Sequence, residues 1–542
     1  MRRDLRELVD TRFDLLIVGA GIYGATIAWD AAQRGLSVAL IDRGDFGGGT
    51  SANSAKTVHG GVRALQAGNL AELRSFVRER RALSRIAPHL VHALPFVIPT
   101  YGGLTRTPLV MRAAFGLYDH LLARDRNNIP DRSKHLPPSR FISRDECLAL
   151  NPAIAPDGVT GGIIWHDCQM HNPDRGGLSC VLSAGAGGAV AANYVEATGW
   201  IHDSGRIAGV QGTDRLGGAG FDVRATLVVN AAGPWSPTLT EDLPRAIWTG
   251  RPPGLAKAMN LVTRSITRDH ALGGLTGSRF LFAAPWHGVS IVGTSHDPFD
   301  GRADSLRVRE TDVSAFLREV NQAFPAAGLQ LDDVRLVHRG LLPTTDGSGR
   351  LLLKQSVVRD HRADGAPGLI SVLGVRYTTA RRTAAVATDT AFSILGRPPP
   401  SCRTAETPLT GGDIPNFSRF VADATSETED RVDHVTRRRL ARSYGSHHRD
   451  VLHPMMDDPS LAVSLSDDCR ITRGEILHAV RHEMAVRLSD AVLRRTEAGS
   501  AGHPGRDALE EAARVMGAER GWTADQRARE VEHTEQIYRL DP

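Results

Sequence analysis

A histidine and an arginine, spaced by one helical turn, lie in a polar segment near the N-terminus. His59 and Arg63 flank a Gly-Gly pair, in a run from Ser51 that also holds hydroxyl side chains and Lys56. If the glycines lead into a helix, both side chains lie on one face. A neutral imidazole suits a general base, and an arginine fork binds phosphate or carboxylate. The segment predicts proton transfer on an anionic small molecule; the alternative is a polar loop with a solvated arginine.

The element that must position these residues precedes them in the chain. An apolar run, 15–18, is followed at once by Gly19-Ala20-Gly21-Ile22-Tyr23-Gly24, which is the GxGxxG pattern. A helix pattern follows and ends at Gly35. A second apolar run, 37–41, ends at Asp42. This order predicts strand, turn, helix and strand, as in a dinucleotide-binding βαβ unit.

Each residue of the pattern has a physical role. Gly19 permits the tight turn, Gly21 lets a pyrophosphate reach the backbone, and Gly24 lets helix and strand pack closely. The helix N-terminus presents free N–H groups to phosphate. Asp42 is placed to bond ribose hydroxyls, which favours FAD or NAD over NADP. A glycine-rich turn in some other α/β protein is the alternative.

Two later segments favour FAD over NAD. Residues 225–235 form a buried strand followed by Asn-Ala-Ala-Gly-Pro-Trp, whose small residues let backbone approach a dinucleotide. Residues 368–381 form another strand that meets Gly374, and Tyr377-Thr378-Thr379 then begin a helix. The N-terminus of that helix can stabilise negative charge on a reduced flavin.

Length and composition exclude several classes of protein. The 542 residues are 41% hydrophobic and 23% charged, and the net charge of +4 is too small to indicate nucleic-acid binding. The five scattered cysteines indicate neither a disulfide framework nor a metal site, so a reducing, cytoplasmic compartment is expected. We find neither a secretory signal nor an apolar run of membrane-spanning length.

The motifs resemble a known family. GAGIYGA and DFGGGTSANSAKTVHGGVRAL resemble the FAD-dependent glycerol-3-phosphate dehydrogenase/oxidase family. The family pattern T-S-x-x-S-x-K-x-x-H-G-G-x-R-Y matches through Arg63 and departs at Ala64. Leu342 stands where the family has the phosphate-binding arginine of G-x-R-P. Val375 and Arg376 stand where it has the second glycine and the lysine of G-G-K-x-T-T.

The resemblance implies an α/β, two-dinucleotide-fold flavoprotein with a Rossmann-type FAD domain, a β-rich substrate domain and a C-terminal α-helical domain. The expected bounds are 1–400 for the oxidoreductase region and 401–542 for the helical domain. Within the first region, FAD-binding segments are expected at about 10–75, 150–240 and 345–396, and the substrate domain at about 76–149 and 241–344. Pro95 and Pro99 predict that their strand lies at a sheet edge.

The resemblance also implies site residues. We expect His59 to act as the base and Arg63 and Arg376 to hold the substrate anion, with Arg339 as a further cation. The residues expected to bind FAD are Gly19, Ala20, Gly21, Ile22, Gly24, Asp42, Arg43, Thr50, Ser51, Ser54, Lys56, His59, Gly60, Val195, Ala232, Gly233, Trp235, Gly374, Tyr377, Thr378 and Thr379. No metal site is expected. His478, His482 and Glu483 resemble metal ligands, but a helix-surface or interdomain role fits them better.

Three functions remain open at this point. The first is oxidation of sn-glycerol 3-phosphate to dihydroxyacetone phosphate, with quinone or O₂ reoxidising the flavin. The second is the same chemistry on another polyol phosphate, a 2-hydroxy acid or an amino acid, because Ala64, Leu342 and Val375 depart from the family. The third is a non-catalytic flavin-binding interaction protein.

The resemblance suggests further partners. Residues 106–126 predict an amphipathic helix with basic ends, which packs on its own domain or lies on a membrane surface. A cytoplasmic protein is expected, with peripheral attachment to the inner face of the membrane as the alternative. A homodimer is a further expectation.

Overall fold

The computed structural model describes residues 1–66, 68–102, 111–112, 114–120, 129–244, 253–277, 279–345, 349–426 and 432–542; the side chains of Arg63 and Gln66 lie outside this description. The strands within these residues form two sheets. They are β1 (Arg12–Val18), β2 (Val38–Ile41), β3 (Thr57–Val58), β4 (Val91–Tyr101), β5 (Arg140–Ile142), β6 (Val159–Met170), β7 (Val190–Ala192), β8 (Val195–Asp203), β9 (Arg206–Asp214), β10 (Gly220–Asn230), β11 (Leu255–Arg264), β12 (Ala271–Leu275), β13 (Phe280–Trp286), β14 (Val289–Phe299), β15 (Val334–Pro343), β16 (Val357–Asp360) and β17 (Leu369–Leu373).

The α-helices of the described residues flank these sheets and form the C-terminal region. They are Leu5–Asp10, Ile22–Gln33, Val62–Gln66, Leu70–Ile86, Arg144–Leu150, Pro173–Ala186, Ser236–Leu239, Glu310–Ala323, Ala380–Ile394, Phe417–Ser426, His434–Tyr444, His448–Asp457, Arg473–His482, Leu488–Asp490, Arg506–Arg520 and Ala524–Gln536. A π-helical turn spans Ala491–Arg495.

The first sheet carries the GxGxxG turn. Its order is β16-β17-β10-β1-β2-β7, and β9 joins β8 to the first half of β10. Strands β17, β10, β1, β2 and β7 run parallel. The Ile22–Gln33 helix packs against the helices Pro173–Ala186 and Ala380–Ile394. Apolar strands covered by helices are the hallmark of a parallel α/β sheet, so the Rossmann-type prediction is confirmed.

The second sheet is mostly antiparallel and has the order β15-β11-β14-β13-β12-β4-β6-β3, with β5 on β6. The Glu310–Ala323 helix packs on it, where Phe316 and Val320 join a buried cluster with Leu261 and Val292. A tight Trp-His-Gly turn joins two of its strands, because β13 ends at Trp286 and β14 begins at Val289. This is the β-rich domain expected for substrate.

The two sheets divide the chain somewhat differently from the expected bounds. Strands β3 and β6 belong to the second sheet, although 10–75 and 150–240 were assigned to FAD. Strand β6 belongs to the second sheet because β4 pairs with it from Val91 to Tyr101. The edge-strand prediction for Pro95 and Pro99 is wrong, since β4 lies between β6 and β12. Strand β12 pairs with β4 only at Phe96 and Val97, so neither proline lies in that ladder.

The C-terminal region is helical, as expected, and buried charges attach it to the first sheet. Asp45, in the loop after β2, accepts hydrogen bonds from Arg494 at 2.6 Å and from Arg495 at 2.7 and 2.8 Å. Burial alone would raise the pKa of Asp45, but the two guanidinium groups hold it well below its usual range. Arg175 forms a second buried pair with Glu483, at 2.7 Å.

The proposed amphipathic segment 106–126 falls largely outside the described residues. Residues 114–120 are helical, and Phe115 and Tyr118 are buried there, with the Phe115 ring 5.7 Å from that of Trp165. No helix in the described ranges combines the length and the apolar character needed to cross a membrane.

Removing the Asp45 carboxylate should weaken the attachment of the C-terminal region. Asp45→Ala removes the carboxylate that two buried arginines share; Arg494 keeps Asp490, but Arg495 loses its ion-pair partner. Breaking a buried pair in this way costs about 3–5 kcal/mol. We expect an earlier urea midpoint than for the wild type. The matched control is Glu510→Ala, which removes the exposed partner of Arg506 and should leave the midpoint almost unchanged. Equal midpoints for the two variants would show that Asp45 does not stabilise the attachment.

Candidate flavin and substrate site

The GxGxxG turn has the close contacts that its glycines predict. Gly19 has φ +101°, and a Cβ there would lie 2.7 Å from the Ala231 carbonyl oxygen. A Cβ on Gly24 would lie 1.8 Å from the Gly19 carbonyl oxygen. Both positions therefore exclude any side chain, and helix and strand pack as closely as predicted. At Gly21 a Cβ would point toward Ser51 Oγ, at 3.2 Å.

Two side chains fix the backbone around this turn. Ile22 N–H, at the helix N-terminus, donates to Ser51 Oγ at 2.9 Å. Asp42 accepts from Ala20 N–H at 2.6 Å and from Gly44 N–H at 2.8 Å. Burial raises the pKa of Asp42, against the two N–H groups that favour its charged form. The carboxylate thus locks the turn in addition to its expected contact with ribose.

A cavity of about 1590 Å³ extends from this turn along both sheets. It is lined by residues of all three segments that were expected to bind FAD, and by strands of the second sheet. The site residues expected from sequence that line it are Gly19, Gly21, Ile22, Asp42, Arg43, Thr50, Ser51, Ser54, His59, Val195, Ala232, Gly233, Trp235, Gly374, Arg376, Tyr377 and Thr378. Residues far apart in the sequence thus meet around one space.

Several expected residues support the wall of this cavity. Gly60 N–H donates to Asp167 Oδ1 at 2.8 Å, and a Cβ on Gly60 would clash with the Arg80 side chain. Thr379 Oγ1 lies 3.4 Å from the Arg376 carbonyl. Ala20 contributes its N–H to Asp42.

Two expected cations lie elsewhere. Lys56 Nζ lies 3.0 Å from Asp174, and Arg339 Nη1 lies 2.8 Å from Asp541. Both line a second cavity, of about 400 Å³. The expected roles of Lys56 with FAD and of Arg339 with substrate stay predictions, and neither residue is among those that line the larger cavity.

The two remaining catalytic candidates line the large cavity. His59 Nε2 lies 3.0 Å from Thr57 Oγ1, and the His59 N–H donates to Thr378 Oγ1 at 3.3 Å. Arg376 forms an ion pair with Glu72, and its guanidinium lies 4.9 Å from the centre of the Phe76 ring. The Gly-Gly pair leads into the short helix Val62–Gln66 as predicted, and Arg63 lies in it, but His59 precedes this helix, so the two residues do not share a helix face. The side chain of Arg63 lies outside the described residues.

Sequence reasoning missed an aromatic wall at one end of the cavity. Phe96, Trp165, Phe280 and Phe282 line it, and the rings of Phe96 and Trp165 stack at 4.9 Å. These side chains come from β4, β6 and β13. The alternation of apolar and polar residues along each strand could have shown that these aromatic side chains face a common side of a sheet, but it does not show which strands become neighbours.

A buried polar cluster behind this wall was also missed. Asp167 accepts from Tyr118 at 3.0 Å and pairs with Arg80. Burial raises the pKa of Tyr118 well above its ordinary value, although Arg80 acts in the opposite direction. Asp167 also holds Gly60, so the cluster fixes the backbone beside His59.

Comparison with known proteins agrees with this geometry. Residues 14–389 match the family described as FAD dependent oxidoreductase, and residues 402–527 match the C-terminal domain of alpha-glycerophosphate oxidase. The chain is 30% identical to a glycerol-3-phosphate dehydrogenase of Synechocystis sp., over 98% of this chain and 97% of that protein. It is 31% identical to glycerol-3-phosphate dehydrogenase 2 of Mycobacterium tuberculosis, over 97% and 88%.

A solved structure is similar along the whole chain. The glycerol-3-phosphate dehydrogenase from Bacillus halodurans, complexed with FAD, has a TM-score of 0.78 and 27% identity, covering 98% of this chain and 95% of that one. The chain therefore belongs to the FAD-dependent oxidoreductases and, among them, to the glycerol-3-phosphate dehydrogenase family. Its cofactor is FAD, and the glycine cradle and the long cavity fit that group.

Gly21→Val tests the cofactor end of the site. A valine side chain would occupy the space where the backbone meets pyrophosphate, so we expect a folded protein that is purified without FAD. The measurement is the flavin absorbance per chain. Gly116→Val is the matched control, because a Cβ there meets no atom within 4 Å. Yellow, fully loaded Gly21→Val protein would contradict the assignment.

Proposed function

We propose that this chain oxidises sn-glycerol 3-phosphate to dihydroxyacetone phosphate. One observation carries the proposal: a single cavity joins the dinucleotide turn to His59 and Arg376, in a chain that matches glycerol-3-phosphate dehydrogenases along nearly its whole length. Bound FAD supplies the hydride acceptor. The protein must hold the substrate, remove its hydroxyl proton and exclude water.

His59 is the proposed base. Its ring lines the cavity, and Thr57 Oγ1 lies 3.0 Å from Nε2, so a hydroxyl can fix the ring orientation. The backbone on either side is held by Thr378 and by Asp167, which binds the N–H of Gly60. A base held in place loses less entropy when it takes the proton from the substrate.

Arg376 is the proposed partner of the phosphate, together with Arg63. The ion pair with Glu72 and the ring of Phe76 orient the Arg376 guanidinium before substrate binds. A planar fork with fixed orientation suits a phosphate oxygen pair. Arg350 and Lys354 also line the cavity and are exposed there, so they add positive charge to the same space.

The aromatic wall supports hydride transfer. Phe96, Trp165 and Phe282 present apolar surface to one end of the cavity. An apolar wall keeps water from the reacting carbon and strengthens the field of nearby charges. The wall therefore complements His59, which acts on the hydroxyl.

A second candidate substrate class follows from the departures. Leu342 lines the cavity, and Ala64, which stands in place of the family's tyrosine, is buried with 6% exposure. Val375 lines the same space. These side chains offer no hydrogen bonds to a substrate anion, so the competing proposal is the same flavin chemistry on another polyol phosphate, a 2-hydroxy acid or an amino acid; the names of the relatives support glycerol 3-phosphate over these alternatives.

The remaining proposals concern partners. The family names include dehydrogenases and an alpha-glycerophosphate oxidase, which supports quinone or O₂ as the acceptor of electrons. A cytoplasmic location, contact with the inner face of the membrane and a homodimer are proposed from the resemblance alone.

Arg376→Ala tests the phosphate contact. Loss of one charge-assisted hydrogen bond costs about 1.5–3 kcal/mol, so KM for glycerol 3-phosphate should rise roughly 10- to 150-fold while FAD stays bound. Arg376→Lys should recover part of the loss, since it keeps the charge without the fork. Arg506→Ala, on an exposed C-terminal helix, is the control. An unchanged KM in Arg376→Ala would remove Arg376 from the substrate site.

The proposed reaction is tested by mixing the purified protein anaerobically with glycerol 3-phosphate and following the oxidised flavin band. We expect rapid bleaching by glycerol 3-phosphate and none by glycerol. His59→Asn should keep FAD and bleach about 10²–10⁴ times more slowly, as expected when a general base is removed. No bleaching, with FAD bound, would favour the other polyol phosphates and hydroxy acids, and equal rates in His59→Asn would exclude His59 as the base.

A further inference from the structure

Three potential metal ligands from distant segments meet outside the flavin cavity. His171 follows β6, His287 forms the turn between β13 and β14, and Glu497 follows the π-helical turn of the C-terminal region. One ligand atom of each lies within 4.8 Å of the other two. Glu497 Oε1 lies 3.1 Å from His171 Nε2, and Oε2 lies 3.7 Å from His287 Nδ1.

The hydrogen bonds of His287 decide which of its nitrogens carries a proton. Nε2 lies 2.8 Å from the carbonyl oxygen of His171. A carbonyl can only accept, so Nε2 must donate, and in a neutral imidazole Nδ1 then carries the lone pair. That lone pair faces the Glu497 carboxylate. Two acceptors that face one another repel unless a cation or a proton lies between them.

His171 brings a second imidazole nitrogen to the same place. Its Nε2 atom is buried and makes no hydrogen bond, although Glu497 Oε1 is only 3.1 Å away. The contact is therefore close but not directed along a hydrogen bond. Such an arrangement is expected when His171 Nε2 and Glu497 Oε1 both point at the position of one bound ion rather than at each other. Glu497 Oε1 is oriented by Ser443, whose hydroxyl donates to it at 3.0 Å.

We propose that His171, His287 and Glu497 bind one divalent transition-metal ion, for which Zn²⁺ is the best match. Two imidazoles and one carboxylate are a common zinc ligand set, and a water would complete a tetrahedron. The contact between His287 Nε2–H and a backbone carbonyl is the usual outer support of a metal-bound histidine. Small rotations of the side chains bring the three atoms to zinc-binding distances.

The surroundings allow a cation. Two positive side chains near the site have partners of their own: Arg439 pairs with Glu475, and Lys56 pairs with Asp174. The guanidinium of Arg442 also interacts with Glu497. The Trp286 indole N–H donates to the His171 carbonyl at 3.1 Å. Because Trp286 directly precedes His287, this bond holds the two histidine-bearing segments together. The side chains of His287 and His171 are 22% and 15% exposed, so an ion can enter from solvent.

The position of the site indicates a structural role. None of the three ligands is among the residues that line the flavin cavity. The ion would connect the end of β6, the β13–β14 hairpin and the C-terminal region. It would therefore hold the C-terminal region against the substrate sheet, next to the buried pair Arg175–Glu483.

The test uses the full-length, FAD-loaded protein after dialysis against a chelator. Zn²⁺ is added back and the bound metal is measured by mass spectrometry; Co²⁺ is used in parallel for its visible absorption. We expect one ion per chain and a higher midpoint of thermal unfolding with the metal than without it. His287→Gln and Glu497→Gln should lose the ion and this thermal shift. The control is His482→Gln, an exposed histidine near Glu483, which should keep both.

The cobalt spectrum keeps the proposal testable even if a variant fails to fold. The wild-type protein should show tetrahedral d–d bands without a thiolate-to-cobalt band, because no cysteine belongs to the ligand set. A thiolate band, metal bound equally by wild type and His287→Gln, or no metal bound at all would each overturn the proposal. In the last case a proton shared between His287 and Glu497 would account for their contact.

Discussion

The whole site depends on the close approach of one helix to one strand. A side chain at Gly24 would lie 1.8 Å from the Gly19 carbonyl oxygen, so only glycine lets the Ile22–Gln33 helix begin directly above β1. That placement brings the N-terminus of the helix to the wall of the cavity, where its partial positive charge suits a pyrophosphate. Asp42, at the end of the next strand, bonds the N–H of Ala20 and holds the turn in this shape. Contacts within the chain thus fix the shape of the turn at the cofactor end.

The catalytic end depends on a different kind of constraint, a set of buried charges. Asp167 accepts hydrogen bonds from Tyr118 and from the N–H of Gly60, and it pairs with Arg80. Breaking such a pair would leave an uncompensated charge in the interior, so its members specify one arrangement. Gly60 follows His59 directly. The backbone beside the proposed base is therefore held from both sides, by Asp167 of the second sheet and by Thr378 of the segment that follows β17.

The local features of the site could be predicted from the sequence, but the features that depend on contacts between distant residues could not. The turn at Gly19 and the strand before Ala232 could be predicted, because short patterns of small residues have few structural explanations. The position of the Arg339 side chain could not be predicted from the sequence, because it depends on Asp541, which lies 202 residues further along the chain. The position of β4 inside the sheet could not be predicted either. Pro95 indicates an edge strand, and the sequence does not show that β12 pairs with β4 only at Phe96 and Val97.

The departures from the family pattern change the positive charge that is available to a substrate phosphate. A substrate phosphate needs positive charge, and Leu342 removes one expected source, while Arg376 supplies a fork where the family has a lysine. This guanidinium forms an ion pair with Glu72, so in the proposed role a substrate phosphate competes with a carboxylate for the same donors. A dianion competes better than the single charge of a hydroxy acid at these donors. With Arg376 in its proposed role, the ion pair would favour a phosphate over a carboxylate substrate, although the neighbouring side chains are less polar than the family pattern.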